Sequence, residues 1–278
     1  MNVLMMDSYN LAWKPAYPVN GLSNTSSDTA GPNPLLDTYH LERHANAEEL
    51  INFDRKFSTS FSDKVGTAES KSGVSHEEFV NMFSPGNSFT SGVGVEYPEN
   101  LIVDRALSAG SRQPVRGDDY LSGILRPGRR LLNVKLKRFA DGWHRDIQDD
   151  LASTRRFRIV SLVSHDLLNA ESISATAMKA TSAIVHQFPP SLLEQIVIYP
   201  RWPGEVTWKN IPGCVKEQAE MSFYNGYDLE DAYQIYGADP AQGALVVIRP
   251  DGYVGLVAQL SESSRVEGHL SRIITRVD

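Results

Sequence analysis

Apolar and polar positions divide the chain into a helical first part and an alternating remainder. Met6, Tyr9, Trp13 and Tyr17 recur at spacings of three, four and four, which places them on one face of a helix. Pro15 and Pro18 fall inside that pattern. Proline lacks the backbone donor and costs about 3 kcal/mol in a helix interior, so the helix is expected to end or kink near Lys14. Ser23 to Asn33, rich in Ser, Thr, Gly, Asn and Asp, reads as a loop. Pro34 suits a first helical turn, and Leu36, Tyr39, Leu50, Phe53 and Phe57 then extend a helical pattern to about Phe61. A short helix is expected over Glu77 to Phe83, before a Gly/Ser/Pro loop through Gly94.

Prolines and glycines at Pro114, Gly117, Gly123, Pro127 and Gly128 mark a long irregular connection. Beyond it the pattern becomes α/β. Leu132 to Phe139 reads as a strand, Asp141-Gly142 as a turn and Phe157 to Val163 as a buried strand. Ser172 to Phe188 reads as a helix ended by Pro189-Pro190, and Leu193 to Tyr199 as the next strand. Asp228 to Tyr236 is expected to be a short helix with an aspartate cap and Gly237 as its stop. Ala244 to Arg249 and Tyr253 to Gln259 flank the turn Pro250-Asp251-Gly252, and Arg265 to Val277 reads as a final helix. A β-α-β unit, a helix, a hairpin and a closing helix form the thioredoxin-like plan.

Composition narrows the function classes. The 278 residues and 41% hydrophobic content suit about two globular domains. A formal charge of −7 gives no electrostatic footprint for nucleic acid. The lone Cys214 excludes an internal disulfide framework and a Cys-x-x-Cys pair, which fits a reducing compartment, with the cytoplasm as the default. The longest apolar runs, such as Gly243 to Ile248, are strand-sized and too short to span a bilayer.

Several segments carry a resemblance. Met1-Asn2-Val3-Leu4-Met5-Met6-Asp7-Ser8-Tyr9-Asn10-Leu11-Ala12-Trp13-Lys14 resembles the G-x-G-M-N-x-x-M-x-D-x-x-N-L-x-W-K stretch of the FAD-dependent aromatic hydroxylases, most closely the phenol 2-monooxygenases. Leu35 to Arg43 resembles their L-L-x-x-Y-x-x-E-R signature, which closes the flavin domain. Ser91 to Pro98, Pro127-Gly-Arg-Arg130, Phe157-Arg158, Tyr199 to Pro203, Glu230 to Gly237 and Arg249 to Tyr253 resemble parts of their C-terminal dimerisation domain. The resemblance implies an α/β chain with two parts. Residues 1–84 would be a mainly helical remnant of the FAD domain, and residues 85–278 a dimerisation domain with a thioredoxin-like core at about 127–278.

In that family the glycine-rich loop brings FAD to a helix N-terminus. Only Met1 and Asn2 remain of the loop here, so they are the residues the resemblance assigns to flavin. The family reaction it implies is ortho-hydroxylation of phenols with NADPH and O2. The nucleotide fold and catalytic residues would precede Met1, and the chain alone is expected to be a non-catalytic dimerisation module that binds no FAD. Its expected partner is a second copy, with a phenolic substrate only in the intact enzyme. The alternatives are part of an active hydroxylase whose N-terminal half is encoded upstream or supplied separately, and a redox thioredoxin relative.

Other candidate chemistry has simpler explanations. Ser91-Gly-Val-Gly94 precedes an extended segment and reads as a loop. His40 and His44 share a helical face, but the zincin glutamate is missing and an exposed face is expected. Cys214 lies away from the junction where a thioredoxin needs its thiolate, which is filled by Ser164-His-Asp-Leu-Leu168. Trp202, Trp208, Phe223, Tyr224 and Tyr227 are read as core or interface aromatics.

Overall fold

A computed structural model describes residues 2–24, 33–62, 94–105, 124–151, 154–201, 204 and 206–277. Helix α1 (Asn2–Val19) runs through both prolines, correcting the expected stop near Lys14. Its end is set by Gly21, whose φ of +67° is left-handed. The Leu22 N–H donates to the Tyr17 carbonyl at 2.8 Å and the Gly21 N–H to that of Pro18 at 3.1 Å, the paired bonds of a glycine-terminated helix. The prolines are tolerated because Trp13 and Tyr17 are buried, and both meet the Phe157 ring edge-on, at 5.7 and 6.0 Å. Burying one large apolar side chain contributes about 1.5–3 kcal/mol, enough to offset much of one proline's cost.

Helix α2 (Pro34–Ser62) packs against α1. The expected helix at Glu77 to Phe83 and the domain boundary at 84/85 lie outside the described residues. The α/β part opens with β1 (Lys135–Arg138), shorter than the expected Leu132 to Phe139, and β2 (His144–Asp146), which leads into α3 (Ile147–Asp150). Then follow β3 (Phe157–Leu162), α4 (Ile173–His186), β4 (Leu193–Tyr199), α5 (Gly213–Ala219) and β5 (Phe223–Asn225). Helix α6 (Ala232–Tyr236), strands β6 (Ala244–Ile248) and β7 (Val254–Ala258), and α7 (Ser263–Ile273) complete the order. Helix α6 starts four residues later than expected. Its cap is Asp231 rather than Asp228, accepting from the N–H groups of Tyr233 and Gln234 at 3.0 Å each.

The strands form one mixed sheet in the order β2-β1-β5-β4-β3-β6-β7. Strand β3 is parallel to β4 and antiparallel to β6, and β6–β7 is an antiparallel hairpin. These four strands with α4 and α7 are the thioredoxin-like unit; β5 and the β1–β2 hairpin extend it. Side chains alternate across the sheet. Phe157 and Ile159 of β3 join Leu245 and Val247 in a core shared with Trp13, Tyr17 and Leu35, while Val160, Leu162, Val246 and Ile248 face a second core under α3 and α6. The N-terminal helices therefore share a core with the sheet through Trp13, Tyr17 and Leu35.

Candidate functional site

The turn between β6 and β7 brings Arg249, Asp251 and Tyr253 beneath the two N-terminal helices. Pro250 and Gly252 let the chain reverse here, and the Arg249 N–H closes the turn on the Tyr253 carbonyl at 2.8 Å. Helix α1 contributes Asn10, Trp13 and Lys14 from its buried face, and α2 contributes Glu42. Lys14, Glu42, Arg249 and Asp251 are at most 2% exposed, two cations against two carboxylates.

Glu42 is the hub. One carboxylate oxygen accepts from Asn10 at 2.8 Å, Lys14 at 2.9 Å and Arg249 at 3.0 Å. The other accepts from a second Arg249 nitrogen at 2.6 Å and from Asn100 at 3.0 Å. Asp251 grips the opposite side of the same guanidinium, at 3.1 Å to Nε and 2.6 Å to Nη2. The guanidinium also lies over the rings of Tyr97, Tyr253 and Trp13, with centroids at 5.2, 5.6 and 5.9 Å. At the edge, Arg43 donates to the Tyr97 hydroxyl at 3.0 Å and pairs with Asp7, and the Tyr9 hydroxyl donates to the Pro250 carbonyl at 2.8 Å.

Burial alone would raise the Glu42 carboxyl, but Arg249 and Lys14 outweigh it and hold the group at about 2. Burial also pulls Lys14 down to about 8 against the opposing pull of Glu42. Arg249 is burdened by burial yet raised by Asp251 and Glu42, so it stays charged. A carboxylate this acidic, with its lone pairs directed at donors on three chain segments, is poorly suited to accept a proton in a reaction. The arrangement clasps the two helices to the sheet.

The clasp is built from residues already prominent in the sequence. Asn10, Trp13 and Lys14 belong to the first quoted stretch, Glu42 and Arg43 to the second, Tyr97 to the third and Arg249, Asp251 and Tyr253 to the last. What sequence reasoning missed is that they meet. Met1 lies outside the described residues, and Asn2 opens α1, beyond the clasp. His40 and His44 stand on the exposed side of α2 with ring centroids 5.0 Å apart, and His44 is 3.8 Å from Glu48. Cys214 is half-buried at the start of α5, where burial raises its thiol pKa. At the β3–α4 junction the Ser164 N–H donates to Ser174 Oγ at 2.9 Å, and Ser164 Oγ pairs with Asp166. Phe223 and Tyr224 are core residues, Tyr227 is exposed, and Trp208 stands 6.0 Å from Phe139; of Ser91 to Gly94 only Gly94, and of the aromatics all but Trp202, are described.

Comparison with known proteins places these features in context. A phenol 2-monooxygenase of Aspergillus fumigatus is 27% identical over 274 residues, covering 95% of this chain and 43% of the relative. A 3-hydroxybenzoate 4-monooxygenase of Comamonas testosteroni is 28% identical over 290 residues, covering 97% of this chain and 42% of the relative. The chain thus spans about two fifths of the length of these curated relatives. An aklavinone-11 hydroxylase, solved as a ternary complex with FAD and aklavinone, shares the fold with a TM-score of 0.53 at 20% identity, over 98% of this chain and 39% of that one. Residues 95–277 match the family model for the phenol hydroxylase C-terminal dimerisation domain, and the chain belongs to that family.

Proposed function

We propose that this chain is an assembly module of an FAD-dependent aromatic monooxygenase, which forms a homodimer through its thioredoxin-like domain and holds α1 and α2 in fixed relation to it. One observation carries the reading: Glu42 of α2 binds both Lys14 of α1 and Arg249, which lies within the segment that matches the dimerisation family. The helices that resemble the end of a flavin domain are in this way tied to a domain of the assembly class. FAD would supply oxygen transfer to a phenolic ring in the longer relatives, with NADPH as reductant, and the role of this chain's own residues is positional.

Light scattering across a concentration series, with flavin fluorescence followed during FAD titration, tests the reading. A concentration-dependent dimer with no saturable quenching is expected. A strictly monomeric chain would remove the assembly role. Saturable quenching would favour the second reading, in which the chain is part of an active hydroxylase completed by another polypeptide segment.

A further inference from the structure

Strands β4 and β5 run parallel, and their last residues, Tyr199 and Asn225, stand opposite each other in the register. Open α/β sheets hold ligands just beyond the carboxyl ends of such strands. A cavity of about 320 Å3 lies there, and Phe139, Tyr199, Arg201, Asn225, Tyr227 and Asp228 are among the residues that line it. Its volume is at the small end of the range for small-molecule sites, about 300–1,000 Å3.

Donors and acceptors of the lining differ in how far they are used. Three acceptors are taken: Asn225 Oδ1 receives the Tyr227 N–H at 2.8 Å, the Tyr227 hydroxyl receives Arg201 Nη1 at 3.2 Å, and Asp228 pairs with His144 and stands 3.8 Å from Lys137. Two donors are open. The Arg201 guanidinium, 4.9 Å from the centre of the Tyr227 ring, has no carboxylate partner among the described residues, so its Nε–Nη2 edge is unused. That edge is a fork matched to a carboxylate, and stacking on the ring holds it in one orientation. The Tyr227 N–H also fixes which end of the Asn225 amide is oxygen, which leaves Nδ2 as a donor with no partner among the described residues. With Lys137 offset by Asp228, Arg201 gives the cavity a positive charge within a chain of −7.

We propose that this cavity binds a single-ring aromatic carboxylate. The carboxylate takes the Arg201 fork and Asn225 Nδ2, and the ring packs against Phe139, Tyr199 and Tyr227. Phe139 and Tyr199 already meet edge to face at 5.9 Å, so that wall is set before a ligand arrives. A neutral analogue forfeits the charge-assisted bonds, and a puckered ring forfeits the stacking. The site uses no residue of the clasp and does not depend on the assembly role.

The test titrates benzoate into the full chain by isothermal calorimetry, with benzamide and cyclohexanecarboxylate as comparisons. Benzoate should bind saturably at one site with a Kd of about 1 mM or tighter, and both comparisons should bind more weakly. Two variants probe the donors. Arg201→Gln removes the fork, while Asn225→Asp keeps the acceptor for the Tyr227 N–H and replaces the donor with a like charge. Each should weaken benzoate binding about tenfold or more, with an unchanged circular dichroism spectrum. No saturable heat, equal affinity for benzamide or cyclohexanecarboxylate, or unaltered binding in both variants would overturn the site.

Discussion

Glu42 accepts from Asn10, Lys14, Asn100 and Arg249 at once, so its removal strands more than one partner. Glu42→Gln leaves two buried cations with one fewer carboxylate, and breaking a buried pair this way costs about 3–5 kcal/mol. Urea unfolding at neutral pH should show that loss, whereas a change below about 1 kcal/mol would mean the clasp holds little. Acid should act on the same group. The folded carboxyl sits at about 2 against an ordinary 4.5, so its stabilisation of about 3 kcal/mol is complete above pH 4.5 and disappears as pH falls towards 2. His269 adds an earlier loss. It is fully buried with both ring nitrogens unpaired, and burial, chiefly, holds it down to about 4 from 6.5. The unfolded chain therefore takes up its proton first, and stability should begin to fall below pH 6.5 and flatten near 4 for this residue. Urea midpoints of the parent chain, Glu42→Gln and His269→Leu across both windows separate the two contributions.

At the level of elements, helix α1 is stopped by a glycine with empty space around it. A Cβ added at Gly21 would meet nothing within 4 Å, so only its φ of +67° opposes a side chain. Gly21→Ala should cost about 1–2 kcal/mol, measured by thermal or urea unfolding. A neutral result would show that this helix end accepts a side chain at its left-handed position without strain. The same helix shows why some boundaries were legible in the sequence and others were not. Strand β4 was read at its full span, Leu193 to Tyr199, because a buried run stands between Pro189-Pro190 and Pro200. Strands β2 and β5 have three residues each, too few for an alternating pattern to register. In α1 the local rule for proline loses to the tertiary packing of Trp13 and Tyr17 on Phe157.

For the whole molecule, the thioredoxin-like order was legible because each strand and helix announces itself locally. The clasp was not. Its letters stood out in four of the quoted motifs, but their meeting depends on contacts such as Glu42 to Arg249, separated by 207 positions, and no local period encodes that. Nor did residue type distinguish a buried Lys14 from a solvated one. If the clasp governs global stability, a chain beginning after α2 should unfold at markedly lower temperature than the full chain, since Arg249 loses Glu42 and the shared core loses Trp13, Tyr17 and Leu35. Coincident melting curves would show instead that the sheet is indifferent to the helices.

The separation between Glu42 and Arg249 also sets a timetable. During synthesis at about 5–20 residues per second, Lys14 and Glu42 are made roughly 10–40 s before Arg249 and Asp251, the other half of the clasp. Through that interval the apolar faces of Trp13 and Tyr17 await a sheet that does not yet exist. Those faces are open to chaperones and to faulty association throughout it, and release from that hazard comes with the β6–β7 turn.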